Sequence, residues 1–167
     1  MESARRRIIR TLSCVVVLVG ALCGVTACQP ASETGRPVAI AGGDPSGVYY
    51  SYAASLAGVA SDTLGGVFTV RETQGSVENL LLVGAGDAVA GFAQGDTTVD
   101  AIRAEGSFEQ ALPIRAAARV YDEYVHVVVP AGSEVASLAD LPGRVVSLGA
   151  EGSGVQVIAH RVLAAAG

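Results

Sequence analysis

Two stretches of the chain repeat one piece of chemistry: an apolar run, a Gly/Ser-rich turn, then an apolar-periodic helix. In the first, Val38-Ala39-Ile40-Ala41 leads into Gly42-Gly43-Asp44-Pro45-Ser46-Gly47 and a helical pattern from Val48 to Ser61. In the second, Val145-Val146-Ser147-Leu148 leads into Gly149-Ala150-Glu151-Gly152-Ser153-Gly154 and a pattern running to Ala166. Small residues at a strand-to-helix turn let backbone approach a ligand closely, and the unpaired N–H groups and dipole of the following helix favour an anion. Gly43 in the first turn, and Ser153 with the N–H of Gly154 in the second, are thus candidate contacts for a carboxylate or phosphate. Between these turns, Gly75-Ser76 opens another helix. There Ser76 offers a hydroxyl and a free N–H, and Asn79, three residues on and on the same face, adds a donor and an acceptor. Gln94 ends a buried run, where its amide can read a carboxylate or an amino group. Either Tyr49 or Tyr50 can present a phenol from the first turn after the glycines.

Other chemistries are poorly served. The two histidines are His126, inside an apolar run, and His160, on a helical pattern, and neither comes with a nucleophile partner, so the chain reads as a binding protein and not an enzyme. It contains no Lys, which removes the phosphate-loop signature. A formal net charge of −5 makes nucleic acid an unsuitable partner. No His/Cys spacing calls for a metal, and no cofactor is expected. Arg71 and Arg119 are cations available to an anionic ligand, without a spacing that ties them to the turns.

The elements that must hold these residues alternate. Val67 to Arg71 reads as a strand, Val77 to Val83 as a helix ending at Gly84 or Gly86, Ala88 to Ala93 as a short buried strand, and Thr97 to Ala104 as a short helix. Ile114 to Val120 and Tyr124 to Pro130 read as two further strands joined through Tyr121-Asp122-Glu123, and Ser137 to Arg144 as a short helix and turn. Strands alternating with helices imply βαβ units in an α/β fold with a mainly parallel sheet, and ligands sit outside the carboxyl ends of such strands.

Ahead of this region, Arg5, Arg6, Arg7 and Arg10 precede an apolar stretch from Leu12 to Leu22, shorter than the ~20 residues of a spanning helix. Residues 1–27 read as an export signal of the lipoprotein type, with a plain basic n-region favoured over a twin-arginine signal. Val25-Thr26-Ala27-Cys28 has the form of a lipobox, which makes Cys28 the lipidation site and residues 28–37 a polar tether. The expected location is the outer face of the cytoplasmic membrane, reached through the lipid anchor. Cys14 and Cys23 lie in the removed segment, so no disulfide is expected, and loss of four Arg and one Glu moves the formal charge from −5 to about −8.

Five segments in order carry a family resemblance. They are Gly-Gly-x-x-Ser-Gly-Val-Tyr-Tyr at 42–50, Gly-Ser-Val-Glu-Asn-Leu at 75–80, Ala-Gln-Gly-Asp at 93–96, Val-His-Val-Val-Val at 125–129, and Leu-Pro-Gly-Arg-Val-Val-Ser-Leu-Gly at 141–149 with Gly-Ser-Gly after it. The chain resembles, over residues 38–167, the TAXI group of solute-binding proteins, the capture subunits of TRAP transporters. The resemblance implies a type II periplasmic-binding-protein fold whose two lobes close over a small ligand. Residues 38–130 would form the first lobe and hinge strand, and 131–167 the start of an incomplete second lobe, as in a truncated chain. It also implies Tyr49 over Tyr50 as a ligand contact, a small carboxylate such as glutamate, glutamine or another organic acid as solute, and TRAP membrane subunits as partners. Departures from the family pattern occur at Ser51, Gly95 and Val155, the last removing a hydroxyl beside the second turn. The rival reading is a ligand-sensing lipoprotein of the same fold signalling to a membrane receptor or kinase, which fold alone does not separate from transport.

Overall fold

The structure is a computed structural model that describes residues 36–167. The export signal, Cys28 and all but the last two residues of the tether lie outside the described residues. β1 (Val38–Gly43) is the centre of a three-stranded parallel sheet, between β2 (Phe68–Glu72) and β3 (Ala90–Gly91), in the order β2-β1-β3. The α/β class and the parallel sheet are as expected. A run such as Val-Ala-Ile-Ala takes the central place because both its faces are covered. Ile40 packs with Ala53 and Ala57 of α1 (Val48–Leu64), while Ala41, pointing to the opposite face, packs with Leu82 of α2 (Ser76–Ala85).

The small side chains of β1 bring α1 close to the sheet. A Cβ on Gly42 would stand 2.6 Å from a Val70 methyl and 3.1 Å from the Ala53 Cβ, so the strand turns out of the sheet at a position only glycine fits. The bulge between Ala41 and Gly43 begins at this point. α2 stops at Gly86, whose left-handed backbone (φ 80°) directs its N–H back to the Val83 carbonyl.

α3 (Gly95–Arg103) lies beside α2, and α4 (Gly154–Ala166) joins the same cluster through Val157. Val77, Leu80, Ala101 and Phe108 form the buried centre of that cluster. Arg161 of α4 donates to Asp96 at 2.7 Å and to the buried Asp100 at 2.5 Å, both on α3. These two contacts, apolar and ionic, set where the N-terminus of α4 falls.

Three expected strands are corrected. Ile114 to Val120, Tyr124 to Pro130 and Val145 to Leu148 are extended runs that join no ladder among the described residues. Val128 is 84 % exposed and Val145 fully so. β-branched composition defines a strand only where a neighbouring chain accepts and donates its backbone hydrogen bonds, and no described segment does so here. Residues 137–144 form a 3-10 turn at Leu138–Asp140, closed by a reciprocal cap between Ser137 and Asp140. Those bonds hold the Asp140 carboxyl below the usual carboxylate range. No helix among the described residues is long and apolar enough to cross a membrane.

Candidate functional site

The carboxyl ends of β1, β2 and β3 deliver three turns to one edge of the sheet, as parallel topology requires. They open on a cleft of about 1230 Å³, whose wall includes Tyr49, Ser76, Gln94, Tyr121, Glu123 and Gly154. The Gly75-Ser76 turn and the second Gly/Ser cradle, which the sequence presents as separate features, meet here. The Val77 N–H at the start of α2 donates to the Gly152 carbonyl at 3.2 Å, and a Cβ on Gly75 would stand 3.4 Å from the Ser153 Cα. The N-termini of α2 and α4 therefore abut, concentrating two positive dipole ends in one place.

Ser76 is the point of contact. Its side chain is buried, and its Oγ accepts the Gln94 N–H at 3.1 Å. A Cβ on Gly154 would stand 2.5 Å from that Oγ and would overlap Gln94 Oε1. Glycine at 154 is thus what allows α4 to seat on Ser76. Gln94 Nε2 donates to Glu123 at 2.7 Å, while its Oε1 is buried without a hydrogen-bond partner among the described residues. Ser153 caps α4, accepting the Gln156 N–H at 3.1 Å and donating to the Ala150 carbonyl at 2.6 Å, so its hydroxyl is already committed.

Tyr49 lies on the cleft wall, its ring centroid 5.9 Å from that of Phe92 and 6.3 Å from that of Tyr121. Burial, then the neighbouring Glu123 carboxylate, pushes its phenol well above the ordinary value. The Tyr121 phenol is pushed up to about 12, chiefly by desolvation and then by Glu123, to which its hydroxyl donates at 3.2 Å. Both phenols are neutral donors over the whole physiological range.

The structure commits the polar groups of two expected contacts elsewhere. Asn79 does not face the cleft: it is fully buried, accepting from Thr73 Oγ1 at 2.5 Å and donating from Nδ2 to the Phe92 carbonyl at 2.7 Å. Helical spacing puts it on the Ser76 side, but the wall of β3 closes over it, and it ties β2 and β3 together. Gly43 reaches the cleft, yet its N–H is spent on Thr73 Oγ1 at 2.9 Å. Thr73 thereby ties the backbone of Gly43 to the buried Asn79. Of the two cations considered, Arg119 pairs with the neighbouring Asp122, and neither it nor Arg71 lines the cleft; Arg144 does.

Sequence reasoning missed Tyr121, Glu123, Thr73 and Arg161 as parts of the site. Tyr121-Asp122-Glu123, a polar break between two apolar runs, carried the one signal available, since connecting segments commonly bear binding groups. No cluster of His, Cys, Asp and Glu suited to a metal occurs among the described residues. A model of the NMT1-like family matches residues 40–167.

Proposed function

Because the chain belongs to the NMT1-like family, a family related to periplasmic solute-binding proteins, we propose that it is the extracytoplasmic capture subunit of a TAXI-type TRAP transporter, taking a small carboxylate such as glutamate, glutamine or another organic acid. In this reading residues 1–27 direct export, Cys28 carries the lipid anchor on the outer face of the cytoplasmic membrane, and the TRAP membrane subunits receive the solute. The family is generally non-enzymatic, in keeping with a site built for holding and release.

One observation carries the carboxylate: the N-termini of α2 and α4 converge on Ser76. A carboxylate arriving there replaces the Gly152 carbonyl as acceptor for the Val77 N–H and interacts with both dipoles at once. The Ser76 hydroxyl orients it, and neutral groups carry most of the contact. Release reverses the exchange, with Gly152 again satisfying the donor that the solute leaves.

The test is a thermal-shift screen of the exported chain against amino acids, dicarboxylates, keto acids and sugars. A solute that binds only the folded state adds roughly 2.7 kcal/mol at a hundredfold excess over its dissociation constant. Shifts with carboxylates that are lost in Ser76→Ala are expected; shifts with sugars alone overturn the reading.

A further inference from the structure

The end of the sheet opposite the cleft presents apolar side chains to the outside. The amino ends of the three strands lie together there. The Val38 N–H donates to the Val67 carbonyl at 2.8 Å and the Val89 N–H to the Ala39 carbonyl at 2.9 Å, so Val67 and Val89 flank the start of β1 on its two sides. Leu64, the last residue of α1, stands three positions before Val67. Leu64 is 73 % exposed, Val89 63 % and Val67 54 %. All three sit at helix-to-strand connections, where polar residues are the rule, and the glycines there are bare: a Cβ on Gly65, Gly66 or Gly86 would meet nothing within 4 Å. The charges nearest in sequence are Arg36, Asp62 and Asp87, all exposed.

Exposed apolar residues occur elsewhere on the chain, and singly they need no occupant. This end differs because the tether enters it. Val38 follows Cys28 by ten positions, which at full extension is about 35 Å. A lipid on Cys28 thus keeps the amino ends of the strands within that distance of the bilayer, at the roughly millimolar effective concentration of a short tether. Three side chains alone are too few to hold a chain on a membrane, but a contact added to an anchor needs far less area.

We propose that Leu64, Val67 and Val89 form a membrane-resting face, which enters the headgroup zone of the bilayer that holds the Cys28 lipid. The proposal rests on the lipid-anchor part of the function proposed above and goes beyond it, because an anchor by itself leaves orientation free. With this face down, the cleft at the carboxyl ends of the strands opens away from the bilayer, where it receives solute. α1 is about 25 Å long at 1.5 Å per residue, less than the full reach of the tether. The folded region can therefore lift off and turn its cleft toward a membrane partner without losing its anchor, and the apolar face returns it to the receiving orientation.

The chain contains no Trp, so single substitutions report without background. Leu64→Trp, Val89→Trp and, at the far end of α1, Val48→Trp are made in the exported chain. Cys28, its single thiol, is coupled to a maleimide lipid in vesicles of phosphatidylethanolamine and phosphatidylglycerol with brominated acyl chains. Supplying the anchor chemically separates this test from lipidation in the cell, which the partition of Cys28→Ala addresses. The expected result is blue-shifted emission and several-fold stronger quenching for Leu64→Trp and Val89→Trp than for Val48→Trp. Adding Leu64→Asp and Val67→Asp to Val89→Trp should abolish its quenching. All these positions are exposed, so the variants fold, and unchanged melting temperatures verify this. Equal quenching at the three Trp positions, or quenching at none, overturns the face and leaves anchor and solute capture standing. Emission that shifts to the blue with protein concentration before vesicles are added assigns the face to a second copy of the chain and overturns the proposal as well.

Discussion

Gly154 has no room for a methyl group, and this makes it a probe of the helix junction. Its Cβ would stand 2.5 Å from Ser76 Oγ and overlap Gln94 Oε1, so Gly154→Ala must push α4 off Ser76. The expected cost is about 1–3 kcal/mol in stability, the scale of an overpacked core, with weaker solute binding, measured by denaturant unfolding and calorimetry. Asn79→Ala tests the opposite assignment. Removing the amide strands Thr73 Oγ1 and the Phe92 carbonyl, both held by Asn79, and is expected to cost about 2–3 kcal/mol while leaving the ratio of affinities between solutes unchanged. A changed ratio would return Asn79 to the binding surface. Tyr121 offers a pH test. Its phenol pKa is raised to about 12, above the ordinary 10, so the folded state holds the proton more tightly than the unfolded chain. That contribution is complete below pH 10 and is lost as pH rises from 10 through 12. An alkaline titration of phenolate absorbance should show Tyr121 and Tyr49 ionising above the ordinary phenol range, and Tyr121→Phe should remove one of these late steps.

Between elements, the decisive link is the one from α4 to α3. Arg161 is partly exposed, but Asp100 is buried, so Arg161→Ala leaves a buried carboxylate without its cation. The value of the ion pair is discounted by the exposure of Arg161, and the expected loss is about 1–3 kcal/mol, read as a lower urea midpoint. Hydrogen exchange separates the two kinds of apolar run. Amides of β1 lie in a ladder on both sides, whereas those of Val145 to Leu148 join none, so the latter should exchange far faster. Equal protection in the two segments would show that Val145 to Leu148 has a sheet partner. Composition alone had made them alike: both are apolar runs that precede a glycine turn and a helix.

At the scale of the whole molecule, the proposed function has an acidic chain meet an acidic solute through dipoles and a few neutral donors. If the anchor acts as proposed, Cys28→Ala should move the protein from the membrane fraction to the soluble one, and equal distribution of both forms would remove the anchor from the reading. Much of this organisation was legible beforehand. The apolar periods marked β1, α1, β2, α2, α3 and α4, glycines at 42 and 75 marked turns at strand ends and Gly154 the start of α4, because burial, close packing and, at Gly75, positive φ leave local traces in residue type. Ser76 and Gln94 followed from their places in those turns. What local pattern does not contain is which buried polar group spends its hydrogen bonds on its neighbours. Asn79 and Ser76 share a helix face, yet one is sealed behind β3 by Thr73 and Phe92, while the other lines the cleft. Nor does it contain the meeting of the Gly75-Ser76 turn with the second cradle, or the approach of Glu123 to Gln94 across 29 positions of chain. Those depend on long-range packing, chiefly the seating of α4 on α3, and so were decided only when the chain folded.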